Sequence, residues 1–450
     1  MAQILHVSLW CLCCLAAFCV YIYPDEAPPA ITGEEDGDPE KTSLQDLLLS
    51  DSRSAAKSPS TRNVFEISLD LKNVTWLALV RDAMSKRKPE ELKESVTVLS
   101  GTLLKQEKDS NETKPLKKIL FWNHPDNYFG VGHEPFVRAG CPVDRCYITN
   151  NRSELPYQAW DALVWRPDTE DFSIPYRRSP ATRYVFFLLE PPGLEPPIVK
   201  FVEGKFNYTM TFREDSDIFH PYGSFTTLPE PRIDALTKDY THGKTKMATW
   251  FVSHCQTRSG RELLVDRLSR YMQVDVYGEC GTLKCPRYDS ECIPRAAKIY
   301  KFYLSFENSL CDDYITEKFF AILKLDILPV VYGLGEYEKI APPHSYINAL
   351  DFPSIRHLAN YLLYLDKNHT AYNEYFRWKA YSEAVRSFPM KQSTASNISW
   401  CQLCERLHYD QQKRVHGNLQ EWSQHSANCL SAEDGVIDSF LRDEVIQKLR

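Results

Sequence analysis

A chain of 450 residues that is 43% apolar and 12% aromatic has enough apolar material for two to three domain cores. Its net charge of −7, with no basic block anywhere, excludes nucleic acid as the main partner. Any cation that an anionic ligand needs must therefore be supplied locally.

Ile4 to Tyr23 is a 20-residue run without charge, long enough to span a bilayer as a helix. Signal peptides that are cleaved usually have a shorter apolar core preceded by Lys or Arg. Here only Met1-Ala2-Gln3 stand in front and Pro24-Asp25-Glu26 follow. We expect a cytosolic tail over 1–3, an uncleaved signal anchor over 4–23 and a lumenal remainder. Neither flank carries the positive charge that usually sets orientation. Four of the fourteen cysteines lie in the anchor and ten beyond it. That even number permits full pairing in an oxidising compartment. Sequons at Asn73, Asn111, Asn151, Asn207, Asn368 and Asn397 fit a secretory chain.

Residues 24–115 are charged, broken by Pro and Ser, and acidic from Asp25 to Glu40, which reads as a stem that cannot fold alone. One short helical pattern falls near Leu77 to Met84. From Lys117 the character changes. Ile119–Trp122, Ala162–Trp165 and Arg183–Leu189 are short apolar runs bounded by polar turns, the buried strands of an α/β domain over 116–230. Glu190 ends the third run just before Pro191-Pro192. By position alone such a glutamate is usually a solvated surface group. The run from Phe206 to Ile218, followed by Pro221-Tyr222-Gly223, reads on its residues as a polar linker.

A second α/β domain over 245–396 opens with the strand Ala248–Val252 and a helix over Ser259–Met272, with Leu263, Leu264, Val265 and Leu268 on its apolar side. Val274–Gly278 is the next strand. Phe302, Leu304 and Phe306 then alternate as a strand that ends on Glu307-Asn308-Ser309. Asp312 or Asp313 is expected to cap a helix carrying Glu317 and Lys318, with Phe319, Phe320, Ile322 and Leu323 on its later face. Ile327–Gly333 completes a βαβ unit. Strand ends and helix starts are where open α/β sheets bind ligands, and free N–H groups beside Lys318 suit an anion such as a diphosphate. The fold class is thus α/β, two Rossmann-like domains facing a cleft, followed by a cysteine-containing tail over 397–450. In that tail Cys401 and Cys404 read as disulfide partners rather than half a zinc site, and Cys141 with Cys146 as another short-range staple.

The run FYLSFENSLCDDYITEKFF, residues 302–320, closely resembles the signature of the α-1,3-fucosyltransferases, Golgi enzymes that move fucose from GDP-fucose to N-acetylglucosamine. Residues 206–223 and 250–262 match the same family. Phe129–Phe136 with Gly140-Cys141-Pro142 resembles its invertebrate branch. The resemblance covers roughly residues 118–405. It implies a B-type glycosyltransferase fold, with the acceptor on the first domain and the donor on the second. Inverting transfer needs a carboxylate to take the acceptor proton and cations to stabilise the leaving diphosphate. The resemblance gives the first role to Glu190. It gives the donor pocket to Tyr222, Gly223, Val252, Ser253, Arg261, Val274, Tyr277, Glu307, Asn308, Tyr314, Glu317 and Lys318, with Glu307 and Asn308 bonding sugar hydroxyls. His133 and Glu134 are candidates to touch a GlcNAc-containing glycan. No obligatory metal is implied, although Mn or Mg could assist by screening the diphosphate, and Asp215-Ser-Asp217 is discounted as a metal motif. The family's Glu-Ser-Pro is Glu190-Pro-Pro here and its Ser-Asn is Ser253-His254, departures that would suit an inactive glycan-binding paralogue. A glycosidase using Glu190 with a second carboxylate is a further alternative, but it has no use for Arg261 and Lys318 together. The expected location is the Golgi membrane, with the catalytic part lumenal.

Overall fold

The computed structural model describes residues 115–444 apart from 125–128, 176–178, 193–201, 287–288, 387–397, 413 and 425–426. The expected anchor, the stem, the pattern near Leu77 and the sequons at Asn73, Asn111 and Asn397 lie outside the described residues. Within them, no helix is long and apolar enough to cross a membrane.

Two open parallel sheets organise the described chain. The first comprises β1 (Lys117–Phe121), β2 (Cys146–Thr149), β3 (Ala162–Trp165), β4 (Arg183–Leu188), β5 (Tyr208–Thr211) and β6 (Ile218–Phe219), in the order β2-β1-β3-β4-β5-β6. Every pairing in it is parallel. The second comprises β8 (Lys246–Phe251), β9 (Val274–Tyr277), β10 (Tyr300–Phe306), β11 (Leu328–Tyr332) and β12 (Ile347–Asn348), in the order β12-β11-β10-β8-β9. All seven residues of β10 are buried, as expected of a central strand covered on both faces. Between the sheets, β7 (Gly223–Thr227) pairs antiparallel with β13 (Ser382–Arg386).

The segment expected to be a linker is not one. Tyr208 to Thr211 are fully buried as β5, and Ile218 with Phe219 adds β6, so this stretch completes the first sheet. Its threonines disguise it. Thr209 pairs with Asp217, and Thr211 with Ser216, which lets polar residues occupy an interior strand.

The helices bearing on the site are α1 (Glu134–Arg138), α2 (Arg261–Leu268), α3 (Glu317–Leu323), α4 (Ile355–Lys367), α5 (Ile398–Tyr409), α6 (Leu419–Gln424) and α7 (Gly435–Leu441). Helix α2 is shorter than expected. It buries Arg261, Leu264, Val265 and Leu268, a 3.6-residue stripe that leaves Leu263 48% exposed. Helix α3 starts later than Asp312 or Asp313 would have it. Thr316 caps it in an extended conformation, its hydroxyl accepting from the Lys318 N–H, while Asp313 turns through φ 60°. The expected apolar face of Phe319, Phe320, Ile322 and Leu323 is buried.

The tail is not a separate unit. Helix α5 packs on β1 and β6, with Trp400 meeting Phe121 and Phe187 at 6.0 and 5.8 Å. Leu419 of α6 enters the first core, and Ile437, Phe440 and Leu441 of α7 enter the second. The cysteine pairing differs from expectation for the same reason. Cys401 and Cys404 lie one turn apart on α5, facing the loop and strand around β2, so the disulfides run Cys141–Cys401 and Cys146–Cys404 rather than within each short pair. Cys255–Cys280, Cys285–Cys292 and Cys311–Cys429 pair the remaining six beyond Tyr23.

Candidate active site

Glu190 follows β4 on the first sheet and Lys318 lies in the first turn of α3 on the second, and the charge of Lys318 is felt at Glu190. Tyr222 and Tyr314 knit this junction. The Tyr222 hydroxyl donates to the Leu189 carbonyl at 2.5 Å, and its ring meets Tyr314 edge-on at 6.3 Å. Phe212 meets Tyr314 at 5.0 Å. Glu190 is half-buried. Burial pushes its pKa above the ordinary glutamate value, with Asp168 and Glu317 adding to the rise while Lys318 and Arg166 oppose it.

Lys318 is set by a buried carboxylate. Glu307, with no exposure, accepts from the Thr316 N–H at 2.9 Å and from the Thr316 hydroxyl at 2.9 and 3.0 Å. The Lys318 ammonium lies 3.2 Å from Glu307 and 3.2 Å from Glu317, and donates to Thr316 Oγ1 at 2.9 Å. Burial works against the lysine's charge, but Glu307 and Glu317 together hold its pKa above the ordinary value. Glu307 therefore faces protein, not a sugar, which corrects the expectation drawn for it. Asn308 is better placed to meet a ligand, because its Oδ1 is buried without a hydrogen-bond partner.

Arg261, 4% exposed, is held by carbonyls. Nη1 donates to Phe306 O at 2.9 Å and Nη2 to His254 O at 3.1 Å, and the guanidinium lies 5.6 Å over the Trp250 ring. Its Nε is buried without a partner, and no carboxylate among the described residues pairs with it. A buried cation with a spare donor is suited to an anion. Ser253 and His254 are exposed beside it, and Val252 is buried, its N–H donating to Tyr277 O at 2.9 Å.

Other candidates fall elsewhere. Val274 begins β9 opposite Ala248, at the end of the strand away from the site, and packs against the second core. Tyr277 lies at the near end, stacked on Phe251 at 4.6 Å with its hydroxyl 3.2 Å from that of Tyr300. A Cβ on Gly223 would lie 2.3 Å from the Phe320 ring, so this glycine serves close packing of β7 on α3. His133 N-caps α1 with Nε2 buried and unpartnered, and Glu134 is exposed. They sit beside β2, since Gly132 donates to Ile148 O at 2.8 Å. Strand β2 lies three strand spacings from β4, about 14 Å at roughly 4.8 Å each.

Asp215 pairs with Arg213 at 2.6 Å, whereas Asp217 accepts from Thr209 N–H at 2.8 Å and meets His416 at 2.6 Å and Arg414 at 3.1 Å. Their carboxylates are turned to different partners and do not fit a shared metal ion. Cys146, Cys404 and His408 lie near one another, but both sulfurs are in disulfides. Among the sequons, Asn151 is exposed and Asn368 caps a helix through Ala371 N–H at 3.1 Å. Asn207 is 4% exposed, its amide accepting from Tyr184 N–H and donating to Arg414 O, both at 2.8 Å. It is a structural strut with no room for a glycan in this fold.

Sequence reasoning missed Arg166 and Asp168, which act on Glu190 from the loop after β3. Asn123 fixes that loop, accepting from Arg166 N–H at 2.8 Å and donating to Arg166 O, Thr169 Oγ1 and Asp171 O. Their position after a buried strand, the same as that of Glu190, was the available signal.

The end of β4 on one sheet thus carries a half-buried carboxylate, and the loop-to-helix junctions of the other carry two positioned cations, at the strand ends where open α/β sheets bind ligands. Two family profiles match the chain: fucosyltransferase, N-terminal, over residues 114–223, and glycosyltransferase family 10 (fucosyltransferase) C-term, over 241–422. Alpha-(1,3)-fucosyltransferase C of Drosophila melanogaster is 39% identical over 307 residues, covering 63% of this chain and 70% of its own. Glycoprotein 3-alpha-L-fucosyltransferase A of the same species is 37% identical, covering 70% and 62%. Alpha-(1,3)-fucosyltransferase fut-1 of Caenorhabditis elegans is 33% identical, covering 72% of each chain. The chain belongs to glycosyltransferase family 10, the fucosyltransferases, and is an enzyme of fucosyl transfer.

Proposed function

We propose that the protein transfers fucose from GDP-fucose, with inversion and in α-1,3 linkage, to the GlcNAc of a glycoprotein or glycolipid glycan. The observation that carries this reading is Lys318 fixed by the buried carboxylate of Glu307 at the start of α3, with Arg261 buried and keeping a spare Nε donor, while the Lys318 charge is felt at Glu190 after β4 of the first sheet. Glu190 takes the proton from the acceptor hydroxyl as that oxygen attacks fucose C1 from the face opposite GDP. Lys318 and the guanidinium of Arg261, with its spare Nε donor, bear the charge that develops on the departing diphosphate. Asn308 offers its free Oδ1 to a donor hydroxyl. No step is assigned to a metal. The two sheets form a B-type glycosyltransferase fold, with donor on the second and acceptor on the first. Ten paired cysteines and the uncharged run Ile4–Tyr23 support a single-pass type II protein of the Golgi membrane, its catalytic part lumenal.

The test is incubation with GDP-fucose and three acceptor classes: the innermost GlcNAc of an N-glycan, lactosamine and LacdiNAc. Linkage analysis of the products is expected to find α-1,3-fucose on GlcNAc of at least one. Absence of both product and GDP release across the panel overturns the reading in favour of an inactive glycan-binding paralogue.

A further inference from the structure

The loops that carry Arg261 and Asn308 are gripped from outside by one short piece of the C-terminal tail. Leu430 N–H donates to Leu310 O at 2.7 Å, and Asp312 N–H donates to Ala427 O at 3.1 Å. Asn428 Nδ2 donates to Asp312 Oδ2 at 2.8 Å, and Cys429 is bonded to Cys311. Two residues beyond Leu430, Ala432 N–H donates to Arg258 O at 2.7 Å. A Cβ on Gly260, whose φ is +64°, would lie 2.6 Å from Ala432 Cβ and 2.8 Å from Leu441 Cδ1. The segment thus joins the turn before Arg261 to the turn after Asn308. From inside, Ser259 Oγ donates to Glu307 O and Tyr332 OH to Ser259 O, both at 2.8 Å. Two of the buried side-chain groups without partners among the described residues, Arg261 Nε and Asn308 Oδ1, stand directly beside the turns so held.

We infer that residues 427–432, which lie beyond the span matched by the family profiles, are a positioning clasp for donor binding. This inference rests on the donor-pocket reading above. The clasp fixes the separation of two loops that must present a guanidinium and an amide to one diphosphate sugar. Without it they drift apart while the sheet behind them stays intact, and a displacement of about 1 Å at a binding group can cost on the order of tenfold to a hundredfold. The acceptor side, on the other sheet, does not depend on it.

The experiment measures GDP binding by calorimetry, and the KM values for GDP-fucose and for acceptor, on the full chain. Two variants are compared with wild type. Cys311→Ser/Cys429→Ser removes the covalent tie, and Asn428→Gly removes the amide bond to Asp312 while keeping the positive φ of 45° at that position. Both are expected to raise the GDP Kd and the donor KM by about tenfold, the lesser change in Asn428→Gly, with acceptor KM unchanged. A merely structural tie would lower the melting temperature and leave the GDP affinity of the folded protein as it was; that result overturns the clasp. If the double serine variant does not fold, Asn428→Gly alone decides. Wild type that transfers fucose without measurable GDP affinity, or that binds no GDP at all, overturns the donor-pocket reading and the clasp with it.

Discussion

The Lys318 ammonium stands 3.2 Å from the carboxylate of Glu307, a residue with no solvent exposure. The carboxylate is also tied to the Thr316 N–H and hydroxyl, so one buried acid fixes both the start of α3 and the direction of its lysine. Removing one partner of a buried pair strands the other.

Lys318→Ala is therefore expected to weaken GDP binding by tenfold or more, on the order of 1.4 kcal/mol or above, and to destabilise the fold by about 3 kcal/mol. Glu307→Gln, which touches no ligand in this arrangement, is expected to weaken GDP binding as well, through the release of Lys318. Calorimetric titration with GDP checks both. Undiminished affinity in Glu307→Gln would mean that Lys318 does not rely on it.

Glu190→Gln keeps the shape of the side chain and removes the base. Transfer is expected to fall by about 10² to 10⁴ with GDP affinity intact. The pH profile carries independent information. Burial raises the carboxyl's pKa above 4.5, and the base must be ionised to work, so the acid limb of kcat/KM is expected above the ordinary glutamate range. Asp168 adds to that rise, so Asp168→Asn is expected to move the limb to lower pH. A limb that stays put in Asp168→Asn, or wild-type turnover in Glu190→Gln, contradicts the assignment.

The strands were legible where they are apolar. Ala162–Trp165 appears with the bounds read from sequence, Arg183–Leu189 ends one residue earlier, and the strand read from Phe302 to Phe306 begins two residues earlier, at Tyr300, because central parallel strands need continuous apolar residues. Strand β5 was not legible, since its threonines are satisfied by Asp217 and Ser216, partners that periodicity cannot reveal. Glu307 shows the same limit at the site. A glutamate at a strand end looks the same in sequence whether it meets a ligand or holds a lysine. Val274 and Gly223 were assigned by resemblance alone, and only packing shows that one belongs to the core and the other to a close approach.

His220 provides a test of the tail's return to the first sheet. Burial between Phe187 and Trp400, with the Arg166 charge added, pushes its pKa down to about 3. The fold thus holds it neutral where the unfolded chain, near 6.5, would bind a proton. Its stabilising contribution is complete above 6.5 and is lost as pH falls toward 3. The expected slope from this group is about 1.4 kcal/mol per pH unit within that window. Denaturant unfolding of wild type and His220→Gln between pH 7 and 4 reads the difference. Parallel curves would show that His220 is solvated.

Gly223 distinguishes packing from ligand contact. A methyl group there would sit 2.3 to 2.8 Å from three atoms of the Phe320 ring, too close unless β7 and α3 separate. Gly223→Ala is expected to cost about 1–3 kcal/mol of stability, typical of overpacking. GDP affinity measured on the folded fraction is expected to stay at the wild-type value. Phe320→Leu frees space at the same contact, so the double variant is expected to recover part of the loss, a coupling that independent sites would not show. If GDP affinity falls in Gly223→Ala and Phe320→Leu restores none of the stability, then the glycine backbone meets the donor and the packing account is wrong.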